Sequence, residues 1–127
     1  MLIDLSSDKE ITYIPHKEQF DLVKSRLSDH EFDDVIREIN ARVDAAGGEI
    51  ATAGWLPGSD WSGTPFAPIF EKGCRRDQKL SGRFFGQCVW VAIRDRDERW
   101  SFGRYEKGGV EIGSITYFRI DVPKPVK

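Results

Sequence analysis

The sequence predicts an α+β protein in which N-terminal helices pack on a mainly antiparallel sheet of about four to five strands, with one further helix before a C-terminal β-meander. Three observations predict it. Residues 28–47 carry helix start and stop signals around an apolar stripe at helical spacing. The last forty or so residues hold apolar runs separated by the short turn segments "DRDE" and "EKGG", and short loops between successive strands force antiparallel pairing. Finally, the helical patterns precede the strands instead of alternating with them, which segregates helices to one side of a sheet.

The helix over residues 29–46 is the most strongly marked element. Ser28 followed by Glu31 is a capping box, and Leu27 before it is placed to staple onto Phe32. Phe32, Val35, Ile36, Ile39, Val43 and Ala46 share one face. Asp29, Glu31, Asp33 and Asp34 crowd the first turns, where the helix dipole favours acids, and Gly47 supplies a left-handed stop. Before it, Pro15 opens a shorter helix with Phe20, Val23 and Leu27 as its stripe. "LIDL" and "ITYI" read as short strands upstream, and residues 49–53 as another downstream.

A third helix is expected from Pro68 to Leu80, ended by "SG" at 81–82. It places Lys72, Arg75, Arg76 and Lys79 on one basic stripe and sets Asp77 on the apolar face, unless the helix frays after Arg75 and leaves Asp77 solvated. "RFFGQCVWVAIR", residues 83–94, alternates with both faces apolar, which predicts a strand covered on both sides. "RWSFGRY" and "VEIGSITYFRI" complete the meander, with a bend at Gly113–Ser114. Symmetric turns would set Arg104 opposite Glu111 and Trp90 opposite Gly103. Gly86, Gly103 and Gly113 fall inside strand patterns, where glycine marks a bulge or a close approach.

At 127 residues the length predicts one domain, residues 1–121, with 122–127 a frayed tail. The apolar run Val89–Ile93 is too short to span a bilayer, and the N-terminus shows no secretion signal, so the expected location is cytoplasmic with no membrane partner. Cys74 and Cys88 form no Cys-x-x-Cys pair and read as reduced, packed thiols. Residues 1–50 carry 12 acids and 6 bases, whereas residues 51–127 carry 9 acids and 13 bases. This asymmetry suits two mutually attracting layers. The pI near 5.7 argues against general nucleic-acid binding.

The chemistry-bearing segment is "AGWLPGSDWSGTPFAP", residues 53–68. Two indoles in a glycine- and proline-rich loop need covering, either by the protein's own sheet or by a ligand. In the ligand reading Trp55, Trp61 and Trp100 stack on a small planar or cationic molecule. Asp60 and Thr64 then give directional hydrogen bonds and Arg104 pairs an acidic group. In the structural reading Asp60 fixes the loop as an Asx-turn. No spacing fits a metal site, a phosphate loop or a nucleophile elbow, so no cofactor, metal or catalytic residue is assigned. The leading expectation is a non-enzymatic small-molecule binding protein. The alternatives are an interaction protein that docks a protein partner through its acidic helix or basic stripe, and an enzyme with Asp60 or Asp77 as general acid or base. The Phe84, Trp90, Trp100 and Tyr117 side chains exceed what one helix covers, which predicts a homodimer.

Overall fold

The computed structural model describes residues 1–51, 61–103, 106–107, 110–111 and 115–120. A short antiparallel hairpin, β1 (Leu2–Asp4) and β2 (Lys9–Ile11), is followed by α1 (Lys17–Ser25) and α2 (Asp29–Ala46). Strand β3 (Glu49–Ala51), a single π-helical turn (Ile69–Gly73) and α3 (Gln78–Arg94) come next. The chain ends in β4 (Trp100–Gly103), a small hairpin of β5 (Glu106–Lys107) and β6 (Val110–Glu111), and β7 (Thr116–Arg119).

This is the expected α+β architecture, on a five-stranded sheet of order β2-β1-β4-β7-β3. Three of its pairings are antiparallel; β1 and β4 run parallel, with Leu2 beside Trp100. Alternation along the strands puts Leu2, Ile11, Ile50, Trp100 and Tyr117 on the face that joins the helices in the core.

Helix α2 has the bounds its sequence signals predict. Ser28 Oγ accepts the Glu31 N–H at 3.0 Å, and the Glu31 carboxylate accepts the Ser28 N–H at 2.9 Å. Gly47 ends the helix at φ 84°. Val35, Ile39 and Val43 are buried, and Leu27 and Phe32 meet the same core from the helix start.

The segment expected to be a two-faced strand, residues 83–94, is instead most of α3. Every residue from Gln87 to Ile93 is buried, so about two turns of helix are enclosed on all sides. A strand covered on both faces and a helix covered all round both read as continuous apolar sequence, and only length separates them. Twelve residues is beyond the usual strand and ordinary for a helix. Trp90 therefore does not face Gly103 across a hairpin; Gly103 pairs with Thr116. In the small hairpin Glu111 pairs with Glu106, and Arg104 lies outside the described residues.

The third helix begins later than expected because the backbone leaves helical conformation after Gly73. Pro68 does precede a helical turn, but it is one π turn, closed by Cys74 N–H on Ile69 O at 2.8 Å. Arg75 and Arg76 then take left-handed backbone (φ 50° and 65°), a conformation that costs a non-glycine residue about 1–2 kcal/mol. Asp77 starts α3 as its N-cap, accepting the Leu80 N–H at 3.0 Å from an exposed position. It is thus the solvated acid of the two readings. The four bases do not form a helical stripe either. Lys72 pairs with Glu31 of α2 at 2.8 Å, and Arg76 with Glu71 at 3.1 Å.

Beyond the end of α3, Arg96 ties the layers together. Its guanidinium donates to Asn40 Oδ1 at 2.9 Å, to the Asp44 carboxylate and to Glu98 Oε1 at 2.8 Å. Glu98 in turn accepts from Trp100 Nε1 at 3.2 Å. The Met1 ammonium donates to Ile93 O at 2.9 Å, to Glu98 O at 3.0 Å and to Arg96 O. Ile93 O belongs to the last turn of α3, and the other two carbonyls lie in the segment just beyond it.

Gly82 and Gly86 lie within α3, and a Cβ at either would meet no described atom within 4 Å. Gly82→Ala and Gly86→Ala are each expected to stabilise the fold by about 0.5–1 kcal/mol, read as a raised urea midpoint. Gly73→Ala should do the opposite, because its Cβ would sit 2.9 Å from Val23 Cγ1; a loss of about 1–3 kcal/mol is expected.

Acid should weaken the molecule in a defined window. The hydrogen bond from Lys72, then that from the Ser28 N–H, hold the Glu31 carboxyl below its usual 4.5, and the bond from Arg96 does the same for Glu98. A carboxylate with a depressed folded-state pKa contributes stability that is whole above the unfolded value and lost as pH falls through the folded one. Glu31→Gln keeps a capping-box side chain but removes this titration. Its unfolding free energy should accordingly vary less with pH below about 4.5 than that of the wild type, as followed by urea melts across that range.

Candidate functional site

The residue types that suggested a site enter the described structure at Trp61. The backbone turns at once: Thr64 N–H donates to Trp61 O at 3.0 Å, and Ala67 N–H to Thr64 O at 3.1 Å. Thr64 builds this turn with its side chain as well. Its Oγ1 donates to Trp61 O at 2.7 Å and accepts the Phe66 N–H at 3.2 Å. The hydroxyl expected to meet a ligand is therefore bonded to the loop's own backbone, an ordinary use of threonine in turns.

That turn throws Phe66 into the core, where it is fully buried, and leaves Trp61 at the margin. The indole packs on Phe66 with centroids 6.0 Å apart and on Phe85 of α3 at 5.7 Å; Phe66 and Phe85 meet edge to face at 4.9 Å. Arg42 of α2 covers the Phe66 ring at 5.1 Å. The inner side of Trp61 is thus held by two aromatic rings, while part of the residue stays exposed.

Trp100 stands elsewhere. It is 1% exposed on the core face of β4, with its N–H on Glu98 and the Arg119 guanidinium 5.7 Å from its ring. Trp61 and Thr64 are brought together, and Trp100 belongs to the sheet. Trp55, Asp60 and Arg104 lie outside the described residues.

Reading from sequence alone missed Gln87. Its side chain, 8% exposed, donates to Pro15 O at 2.6 Å and to His16 O at 3.2 Å. Trp90 Nε1 donates to Tyr13 O at 2.8 Å, and Arg94 to Thr12 O at 3.1 Å. Residues 87, 90 and 94 share one face of α3, so three donors hold the irregular segment 12–16 by its carbonyls. The available signal was a lone amide side chain inside an apolar run, which a strand reading assigns to no partner.

Among the described residues no group of three or more His, Cys, Asp or Glu is placed to hold a metal ion, and no helix is long and apolar enough to cross a membrane. The Phe84, Trp90, Trp100 and Tyr117 side chains that suggested a second subunit are each at most 3% exposed within one chain. No protein-family model, curated protein or solved structure matches the chain.

Both cysteines are buried. Burial pushes the Cys74 thiol up despite a hydrogen bond with Ser81, and pushes the Cys88 thiol up further. Since the thiolate is the nucleophile, neither suits covalent chemistry. Iodoacetamide at neutral pH is expected to leave the native protein unlabelled over a period in which the urea-unfolded chain takes up two equivalents, as counted by mass spectrometry. Rapid native labelling would contradict this assignment.

Proposed function

We propose that the chain is a non-catalytic binding module whose ligand, a small molecule with a planar or cationic group, stacks on the open side of Trp61. One observation carries this reading: of the three described tryptophans, Trp90 and Trp100 are enclosed, and Trp61 alone keeps an exposed part. Its other side already rests on Phe66 and Phe85, so the ring is held before a ligand arrives. A preorganised side chain loses little freedom on binding, which favours affinity. Stacking on an indole contributes about 0.5–2 kcal/mol for a cation.

In this reading Trp55 and Asp60, which precede Trp61 in the sequence, supply the second wall and a hydrogen-bond acceptor, and Arg104 pairs an acidic substituent. Thr64 shapes the turn. Trp100, enclosed on the core face of β4, does not touch the ligand. The thiols and the capping role of Asp77 speak for binding over catalysis.

The test is a panel of nucleotides, sugars, amines and organic acids, followed by tryptophan fluorescence and thermal unfolding. A ligand at about 100 times its dissociation constant adds roughly 2.7 kcal/mol, a rise of several degrees in Tm. Trp61→Ala is expected to weaken the binding of a hit about tenfold or more, while Trp61→Phe, which keeps a ring on Phe66 and Phe85, retains most of it. A hit indifferent to both substitutions would place the site away from Trp61. A panel without any hit would remove the small-molecule reading.

A further inference from the structure

We propose that the face of α3 formed by Gln87, Trp90 and Arg94 binds an extended peptide segment of a protein partner, one that carries an acidic side chain, and that residues 12–16 block this face in cis. This inference is independent of the Trp61 reading. Trp61 rests on Phe85, and two positions along a helix turn the chain by about 200°, so Phe85 and Gln87 lie on opposite sides of α3.

The fit between helix and segment is one of backbone spacing. Arg94 donates to Thr12 O, Trp90 Nε1 to Tyr13 O, and Gln87 Nε2 to Pro15 O and His16 O. The segment therefore runs antiparallel to α3. Residues 87 to 94 span about 10 Å of helix, and extended chain from Thr12 to Pro15 spans about 10 Å as well. All four acceptors are main-chain carbonyls, which any peptide carries. When extended peptides are bound, such main-chain bonds supply affinity and side-chain contacts supply specificity. Here Ile14 packs on the core and the Tyr13 ring lies 5.8 Å from that of Trp90, with Tyr13 otherwise 61% exposed.

The segment's own hold on the face is incomplete. Among the described residues no backbone hydrogen bond joins Thr12–Pro15 to the rest of the protein. Gln87 Oε1 is buried without a partner, and Pro15, whose carbonyl Gln87 takes, has no N–H to give it. His16 then turns the chain into α1 through left-handed backbone (φ 50°), a conformation unfavourable for a residue other than glycine. The chain leaves the face there. Arg83, one turn before Gln87 on the same side of α3, is exposed and has no ion-pair partner among the described residues.

These gaps define the partner. A segment with a residue other than proline in the place of Pro15 brings an N–H to a site where Gln87 Oε1 lacks a donor. A segment that runs straight on past the place of His16 needs no left-handed turn. Its next side chains pass toward Arg83, where an aspartate or glutamate meets an opposite charge. The cis segment is favoured by its tether, which acts as a high local concentration, and a partner competes with it through these added contacts.

The probe is the acetylated, amidated peptide of residues 11–18 with Pro15→Ala and Lys17→Glu, titrated into the full chain and into its Tyr13→Ala variant. Nitrogen–proton NMR reads binding at the side chains concerned: the Trp90 indole and Gln87 amide signals should move, and the Trp100 indole signal should stay. Tyr13→Ala removes a ring from the cis segment and keeps its carbonyls, so peptide binding should tighten about threefold or more. Arg83→Glu should weaken it about threefold or more at low salt. N-methylation of the peptide nitrogen at position 15 should weaken it about fivefold. If Tyr13→Ala does not fold by circular dichroism, the wild type at millimolar peptide gives the same NMR readout. No binding at millimolar peptide, binding that leaves the Trp90 and Gln87 signals in place, or indifference to Arg83→Glu or to N-methylation would each overturn the proposal. A Tyr13→Ala chain that dimerises and excludes the peptide would overturn it in favour of exchange of the N-terminal segment between two copies.

Discussion

The structure depends on burying α3 around its whole circumference. Gln87 to Ile93 face α1, α2 and the sheet at once, so no side of these two turns is left to water. Such a helix carries few polar side chains of its own, and each must find a partner inside the protein. Gln87, Trp90 and Arg94 do so by gripping backbone carbonyls of residues 12–16. A single apolar helix thereby fixes the path of the chain between the first hairpin and α1, and the conformation of that connector follows from the needs of the helix it crosses.

The ends of α3 are secured by different means. At its start the chain uses a carboxylate cap and two left-handed arginines, a local device of five residues or so. At its end it recruits Met1, more than ninety residues away in sequence, together with Arg96 and Glu98 just past the helix, onto the same few carbonyls and carboxylates. The first device sets where the helix begins. The second sets how the helix sits against α2 and β4, because Arg96 spans from Asn40 and Asp44 to Glu98, and Glu98 reaches the Trp100 indole.

Legibility in the sequence followed the range of the interactions responsible. Helix α2 was legible to the residue because its boundaries are set by Ser28, Glu31 and Gly47, all within one turn of the ends. The helical layer and the antiparallel character of the sheet were legible from patterning. Helix α3 was misread because alternation in a fully apolar stretch reports burial and not period, and because Asp77 lacks the glutamate three residues later that completes a capping box. The parallel pairing of Leu2 with Trp100 left no local mark at all. At the candidate site, the turn between Trp61 and Thr64 is a local feature, but nothing in the sequence signalled that the Thr64 hydroxyl would be taken up by that turn's own backbone. The enclosure of Trp100 depends on strands and helices far away in sequence, and its own alternating segment carries no sign of it.

The position of β1 bears on how the molecule is made. Although first in the chain, it lies inside the sheet and receives its neighbour β4 only after roughly a hundred further residues have been added. At ribosomal rates of about 5–20 residues per second, Leu2 and Ile3 wait on the order of 5–20 seconds for that partner. A two-stranded hairpin is marginal alone, so during this interval the nascent chain presents an open apolar edge. Its brevity, three residues, is a protection, because so short an edge gives other chains little to pair with.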